Sequence, residues 1–276
     1  MEIDSKLVPL DIPEQIYDDN FAFHTHLIYA RRLATWSIGL SAEYSSKPKL
    51  LANDSELLKN KDRLITLMWQ SLQDECKIVM EDAAYSSACV LWLPTKAYYL
   101  IFHLLTTIEY IINADPKCLR MHHEPCVNLF TDLIKNKVLK FSQTRFNEVF
   151  RRIILDHKTQ PGEHLRADCA DAVIHKLIMR KTADYKIQHY KYKQKLNLRR
   201  KVDRASCEKF KDTMLVSIFD FFYLMRIKST YKEFNFIDGI MPDQTRLYFQ
   251  EYFRATENFY HCLNNLRQTL SSKIKS

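Results

Sequence analysis

Apolar side chains recur every three to four positions along most of the chain, the spacing of helix faces rather than the alternation of strands. Leu58, Leu64, Ile65, Met68, Leu72 and Val79 share one face of a helix predicted from Ser55 to about Met80. Upstream, residues 20–44 form another helical stretch, with Asn20 placed to cap it. Pro94 predicts a break between helices at Ala83–Leu93 and Thr95–Asn113. Asn113-Ala-Asp-Pro116 is the clearest chain break in the first half, and Pro125 suits the first turn of a helix running to about Lys137. Ser142 is placed to cap the next helix, whose Phe146, Val149, Phe150, Ile153 and Ile154 follow the i, i+3, i+4, i+7, i+8 pattern until His157-Lys-Thr-Gln-Pro-Gly162 ends it. A long helix is predicted from His164 to near Arg200, and another from Ser206 through MLVSIFDFFYLM. Pro242 opens the last, with Leu247, Phe253, Phe259, Leu263 and Leu266 as core positions.

Composition sharpens this pattern into a fold class. Glycine occurs only at 39, 162 and 239. Tight β-hairpins draw on positive-φ residues, so so few glycines favour an all-α fold. Apolar residues at 46% and aromatics at 12% are ample for a core. No repeat or linker divides the chain, which predicts a single helical domain over residues 1–276, a multi-helix bundle. The run from Ala88 to Ile112 approaches membrane-spanning length, but Pro94, Lys96, His103 and Glu109 within it favour a buried core helix. The opening MEIDSKLVPLDIPE lacks the basic and apolar regions of a secretory leader. Seven scattered cysteines then fit reduced thiols, and a cytoplasmic, membrane-free location is expected.

Charge changes the picture more. From Lys176 to Lys211 there are 13 Lys/Arg and 3 Asp/Glu, a local net of +10 against +8 for the whole chain, so the remainder carries −2. This basic helical arm, residues 176–211, reads DYKIQHYKYKQKLNLRRKVDR at its middle, with tyrosines among the cations. Lysine and arginine neutralise phosphates while aromatic faces stack on unpaired bases. Lys191, Lys193, Lys195, Arg199, Arg200 and Arg204, with Tyr190 and Tyr192, are therefore candidate nucleic-acid-binding residues. The alternative for such a charge run is a solvated helix face.

Three segments together resemble one family. The run Lys96-Ala-Tyr-Tyr-Leu-Ile-Phe-His-Leu-Leu105 is similar to a helix of HEPN domains (higher eukaryotes and prokaryotes nucleotide-binding). His122-His123 precedes a short helix where that family often carries a histidine-containing turn. Arg226-Ile-Lys-Ser-Thr-Tyr231 looks like its Arg-x-x-Ala-Asp-Tyr block, as does Arg180-Lys-Thr-Ala-Asp-Tyr185. The resemblance covers about Pro94–Leu133 and Phe219–Leu266, with the basic segment as an insertion. It implies a helical bundle that homodimerises, with Arg226 and Tyr231 near a cleft. Active members cleave RNA without metal through an Arg-x(4–6)-His motif, often as toxins or phage-defence effectors. Others are non-catalytic modules.

Arg152-Ile-Ile-Leu-Asp-His157 fits that motif, as do Arg151 with His157 and Arg254 with His261. Arg152 and His157 are the catalytic candidates, the arginine to stabilise phosphorane charge and the histidine to move a proton. Set against this, His157 also suits a helix C-terminus, and no histidine follows Arg226 at the family spacing. Cys118, His122, His123 and Cys126 are soft ligands within nine positions, but the absence of a Cys-x-x-Cys pair favours an incidental turn. His103 is expected to be a buried, hydrogen-bonded core histidine. No cofactor and no metal are expected. The sequence leaves two functions open: an RNA-directed effector with RNA or another polyanion as partner, and an adaptor binding nucleic acid or an acidic protein, including a partner in a defence complex.

Overall fold

The computed structural model of the chain describes residues 27, 29–34, 37–41, 55–142, 144–150, 167–230 and 241–274. They are predominantly helical, as the apolar spacing predicts. Helix α1 (Ser55–Glu81) and helix α2 (Ala83–Asn113) form a hairpin turning at Asp82, whose carboxylate accepts from the backbone N–H groups of Ala84 and Tyr85 at 2.9 and 3.2 Å. That side chain satisfies donors the first turn would otherwise leave unpaired. Leu58, Ile65, Trp69, Leu72 and Val79 line the inner face of α1, whereas Leu64, expected beside them, is exposed. Trp69 is the main anchor, its ring stacked on Tyr260 at 4.4 Å and on Phe253 at 5.5 Å.

Helix α2 is apolar nearly all round and is covered accordingly. Helices α1, α6 (Ile218–Thr230) and α7 (Pro242–Ser271) pack against it, the α7 contact being the most extensive. Val90, Leu93, Ala97, Leu100 and Leu104 are completely buried. Each of these valine and leucine side chains contributes about 1.5–3 kcal/mol on leaving water. This explains the continuity of α2 through Pro94, where the sequence predicts a break. The proline forfeits one backbone hydrogen bond, but buried side chains on both sides hold the helix across it. Among the described residues α2 is the one helix long and apolar enough to cross a membrane, and most of it is buried inside the bundle. The chain turns at Ala114, left-handed at φ 55°, and a 3₁₀ turn at Pro116–Arg120 leads to α3 (His123–Lys135).

Three stretches depart from the helical expectation. Residues 29–33 are helical, but Ile38–Leu40 form a strand, β1, antiparallel to β2 at Leu139–Phe141, with Gly39 opposite Lys140. Ser142, expected to cap a helix, closes this sheet: its hydroxyl accepts from the Ser37 N–H and its own N–H donates to the Ser37 carbonyl, both at 2.9 Å. The expected helix after it reduces, among the described residues, to a 3₁₀ turn at Thr144–Asn147 and a bridge between Phe150 and Val216. Asn147 explains this, because its carboxamide bonds both the N–H and the carbonyl of Phe141, at 2.7 and 2.8 Å. A side chain that offers the backbone such partners competes with the helix. Ile153, Ile154 and the Pro-Gly end lie outside the described residues.

The long basic helix is also shorter than expected. Helix α4 runs Ala167–Lys193 and ends where Lys195 turns left-handed at φ 51°, with the Leu196 N–H donating to the Lys191 carbonyl at 3.0 Å. Helix α5 (Lys201–Thr213) follows, so Ser206 lies inside a helix rather than at its start. The break falls instead at Met214–Ser217. There Ser217 and Asp220 cap α6 reciprocally: the Asp220 carboxylate accepts from the Ser217 N–H at 2.8 Å, and the Ser217 hydroxyl accepts from the Phe219 N–H at 3.3 Å. Pro242 opens α7 as predicted.

Ala114 supplies a sharp test. An alanine in the left-handed region carries a Cβ clash that glycine lacks. Ala114→Gly is expected to raise the unfolding free energy by about 0.5–1 kcal/mol, the relief outweighing the flexibility glycine adds to the unfolded chain. Urea denaturation followed by far-ultraviolet circular dichroism measures it.

Candidate nucleic-acid interface

Residues 176–211 fold as a helical hairpin whose C-terminal half of α4 returns through a seven-residue turn into α5. The turn is built by local bonds: Asp203 accepts from the Asn197 N–H at 2.9 Å, and the Asn197 carboxamide oxygen accepts from the Arg199 N–H at 3.1 Å. The Arg204 guanidinium donates to the carbonyls of Leu198 and Arg199 at 3.2 and 3.3 Å. Tyr190 and Phe210 clasp the two helices face to face at 3.9 Å, and the Tyr190 hydroxyl meets Ser206 at 3.1 Å. One face of the Tyr190 ring is thus taken by Phe210. Tyr192 is 85% exposed and stands between Lys191 and Lys193. Lys195, Arg199, Arg200 and Arg204 are all exposed.

The hairpin is tied to the bundle by buried charge. Lys186 donates to Asp220 at 2.6 Å, to the Leu215 carbonyl at 2.8 Å and to the Asn128 carboxamide at 3.2 Å. Asp220 is 3% exposed, and its other oxygen also contacts the Thr131 hydroxyl, itself 2.7 Å from that of Ser217. Farther out, Lys193 pairs with Glu124 of α3 at 2.7 Å and His189 lies 3.4 Å from the same carboxylate. Lys193 is therefore partly neutralised, while Lys191, Lys195, Arg199 and Arg200 make no ion pair among the described residues.

Next to this interface the three segments that carry the family resemblance converge. Arg226 of α6 donates to the Tyr99 hydroxyl at 3.0 Å and lies 5.4 Å from that ring's centre. His123, at the start of α3, is caged by Phe102, Tyr98, Tyr99 and Tyr223 with ring separations of 4.7 to 6.1 Å, and its Nδ1 meets the Tyr98 hydroxyl at 3.1 Å. His103 packs on Phe102 at 5.7 Å. It is half-buried, and contrary to expectation its Nδ1 has no hydrogen-bond partner among the described residues. Burial, then Lys61 and His123, pushes its pKa down to about 4. Burial, then Arg226 and His122, also lowers that of His123. Both imidazoles are neutral at pH 7, beside a guanidinium suited to planar anions. Cys118 and Cys126 are buried thiols, the latter pushed up to about 12 by burial, Glu109 and Cys118, so both stay protonated.

No protein-family model matches this chain, and no curated protein or solved structure matches it significantly. Arg152, His157 and Tyr231 lie outside the described residues. Arg254 and His261 are exposed on α7, bonded to Glu251 and near Glu257. The residues that sequence reasoning missed are Lys186, Asp220, Glu124 and Tyr223, which line one cavity from positions up to 99 apart in the chain. The Ser217-Ile-Phe-Asp220 spacing of a capping box is the one local signal that could have found Asp220.

The depressed pKa of His103 has a sign. A histidine near 6.5 unfolded and about 4 folded leaves stability intact above pH 6.5 and erodes it as pH falls toward 4. Between pH 7 and 4.5 wild type should lose more stability than His103→Leu. Urea midpoints at the two pH values test it, and equal losses would contradict the assignment.

Proposed function

We propose that the protein is an RNA-directed effector of HEPN-like type that acts in the cytoplasm as a homodimer. It engages RNA through Lys191, Lys193, Lys195, Arg199, Arg200 and Arg204, with Tyr192 offering a face for base stacking. The observation that supports this is the hairpin of residues 176–211: a local net charge of +10, folded on itself, with an 85%-exposed tyrosine among its lysines. Folding the segment back packs its cations into a shorter span than one straight helix would, which strengthens the field that attracts a polyanion. In this reading Arg152 and His157 carry metal-independent cleavage, in a phage-defence or toxin setting, on the strength of motif spacing alone.

A second reading is favoured by Val202 and Leu198, 78% and 40% exposed among the same cations. Apolar side chains interleaved with arginines suit an acidic protein surface, which makes the chain a non-catalytic adaptor. Two measurements separate the readings. In the first, single-stranded RNA binds wild type with a steep salt dependence, and charge reversal at Arg199, Arg200 and Arg204 weakens it at least tenfold, since each lost phosphate contact lowers the slope by about 1. In the second, wild type cleaves RNA in EDTA and His157→Ala does not. Binding without turnover favours the adaptor, and cleavage equal in both proteins removes the Arg152–His157 assignment.

A further inference from the structure

Between the hairpin and the bundle lies a cavity of about 260 Å³, enclosed by α3, α4, α5 and α6. Its lining joins apolar Val127, Leu224 and Ile227 and aromatic Tyr185 and Tyr223 to the Lys186–Asp220 pair and to Glu124, Asn128 and His189. Small-molecule pockets run about 300–1,000 Å³, so this one suits a single heterocycle rather than a larger ligand. Lys193 borders it and also borders a second, open hollow formed with Lys191, Tyr192 and Lys195 on the outer face of the hairpin. A polyanion held along those lysines therefore passes the mouth of the cavity.

We infer that this cavity receives one unpaired nucleobase of the single-stranded RNA that the basic hairpin holds. The assignment rests on the proposed RNA reading and specifies what it binds: an unpaired base, not a duplex. Base faces stack on aromatic side chains, and an unpaired base exposes its Watson–Crick edge to polar groups. Glu124 accepts hydrogen bonds from ring or exocyclic N–H groups. The Asn128 carboxamide, whose oxygen takes a bond from Lys186, carries an NH₂ donor for a base carbonyl or ring nitrogen. Such mixed apolar and hydrogen-bonding walls are poorly explained as hydrophobic packing alone. Tyr223 is shared, lining the cavity and stacking against His123 at 6.1 Å, so a base seated there rests on the wall of the histidine–arginine cluster.

The test uses fluorescence anisotropy with a labelled ten-nucleotide single-stranded RNA and an abasic ribose-phosphate oligomer of equal length. Wild type should prefer the RNA by roughly tenfold, the size of one base stack. Tyr185→Ala should cut that preference to the small remainder that stacking on the exposed Tyr192 supplies, while keeping abasic-oligomer affinity and its salt dependence, whereas Tyr192→Ala should retain most of it. Asn128 is exposed and supplies the longest of the three bonds to Lys186, so Asn128→Trp plugs the mouth while leaving the bonds to Asp220 and the Leu215 carbonyl, and should act like Tyr185→Ala should the latter misfold. Equal affinity of wild type for both oligomers overturns the inference, as does a preference lost in Tyr192→Ala but kept in both Tyr185→Ala and Asn128→Trp. If neither oligomer binds, the RNA reading fails by itself. Saturation-transfer NMR with free adenosine, guanosine, cytidine and uridine then decides the cavity: signals that Asn128→Trp removes uphold a nucleobase site, and their absence in wild type ends it.

Discussion

Asp220 is the buried charge on which the arrangement of this molecule turns. Its carboxylate sits 3% exposed where α3, α4 and α6 meet, and it bonds Lys186, the Ser217 N–H and the Thr131 hydroxyl. A carboxylate and an ammonium removed from water each cost several kcal/mol, recovered only when geometry is good and the remaining lone pairs are filled. Here they are filled, so the network tolerates few alternatives: α4 cannot slide or rotate without stranding a charge. An apolar pair of similar volume could match it in stability, but would let the hairpin dock in more than one register. Orientation of the basic face is what this ion pair secures.

The rest of the bundle answers a different constraint, the coverage of α2. Its apolar circumference demands neighbours, and α1, α6 and α7 cover most of it, leaving Leu91 and Trp92 exposed. Two of the functional elements ride on that coverage. Tyr99 and His103 project from α2, and Arg226 comes from α6, the helix that both covers α2 and carries Asp220. Core burial and the charged network thus share one helix, which keeps the histidine–arginine cluster and the hairpin in fixed relation.

Periodic segments were legible in the sequence where one force dominates. The faces of α1 and α7 and the break at Asn113-Ala-Asp-Pro116 follow from apolar spacing and turn chemistry. Pro94 misleads because local backbone preference is overruled by burial on both sides. Ser142 and Asn147 mislead because their side chains can serve a helix or a loop, and only the distant partners Ser37 and Phe141 decide which. The candidate interface was legible as charge but not as shape. Nothing local marks Lys186 as anchored and Lys195 as exposed, since both stand in the same basic run.

The turn at Lys195 has a consequence for energetics. It lays α4 and α5 beside one another, clasped by Tyr190 on Phe210 and a few side-chain bonds, and crowds Lys195, Arg199 and Arg200 into the turn between them. Their mutual repulsion is a standing load on that clasp. Mobile counterions lighten it, and a bound polyanion lightens it further, because opposite charge then screens like from like. The outer hairpin is consequently a spring held shut against its own field, stiffest when its partner is in place.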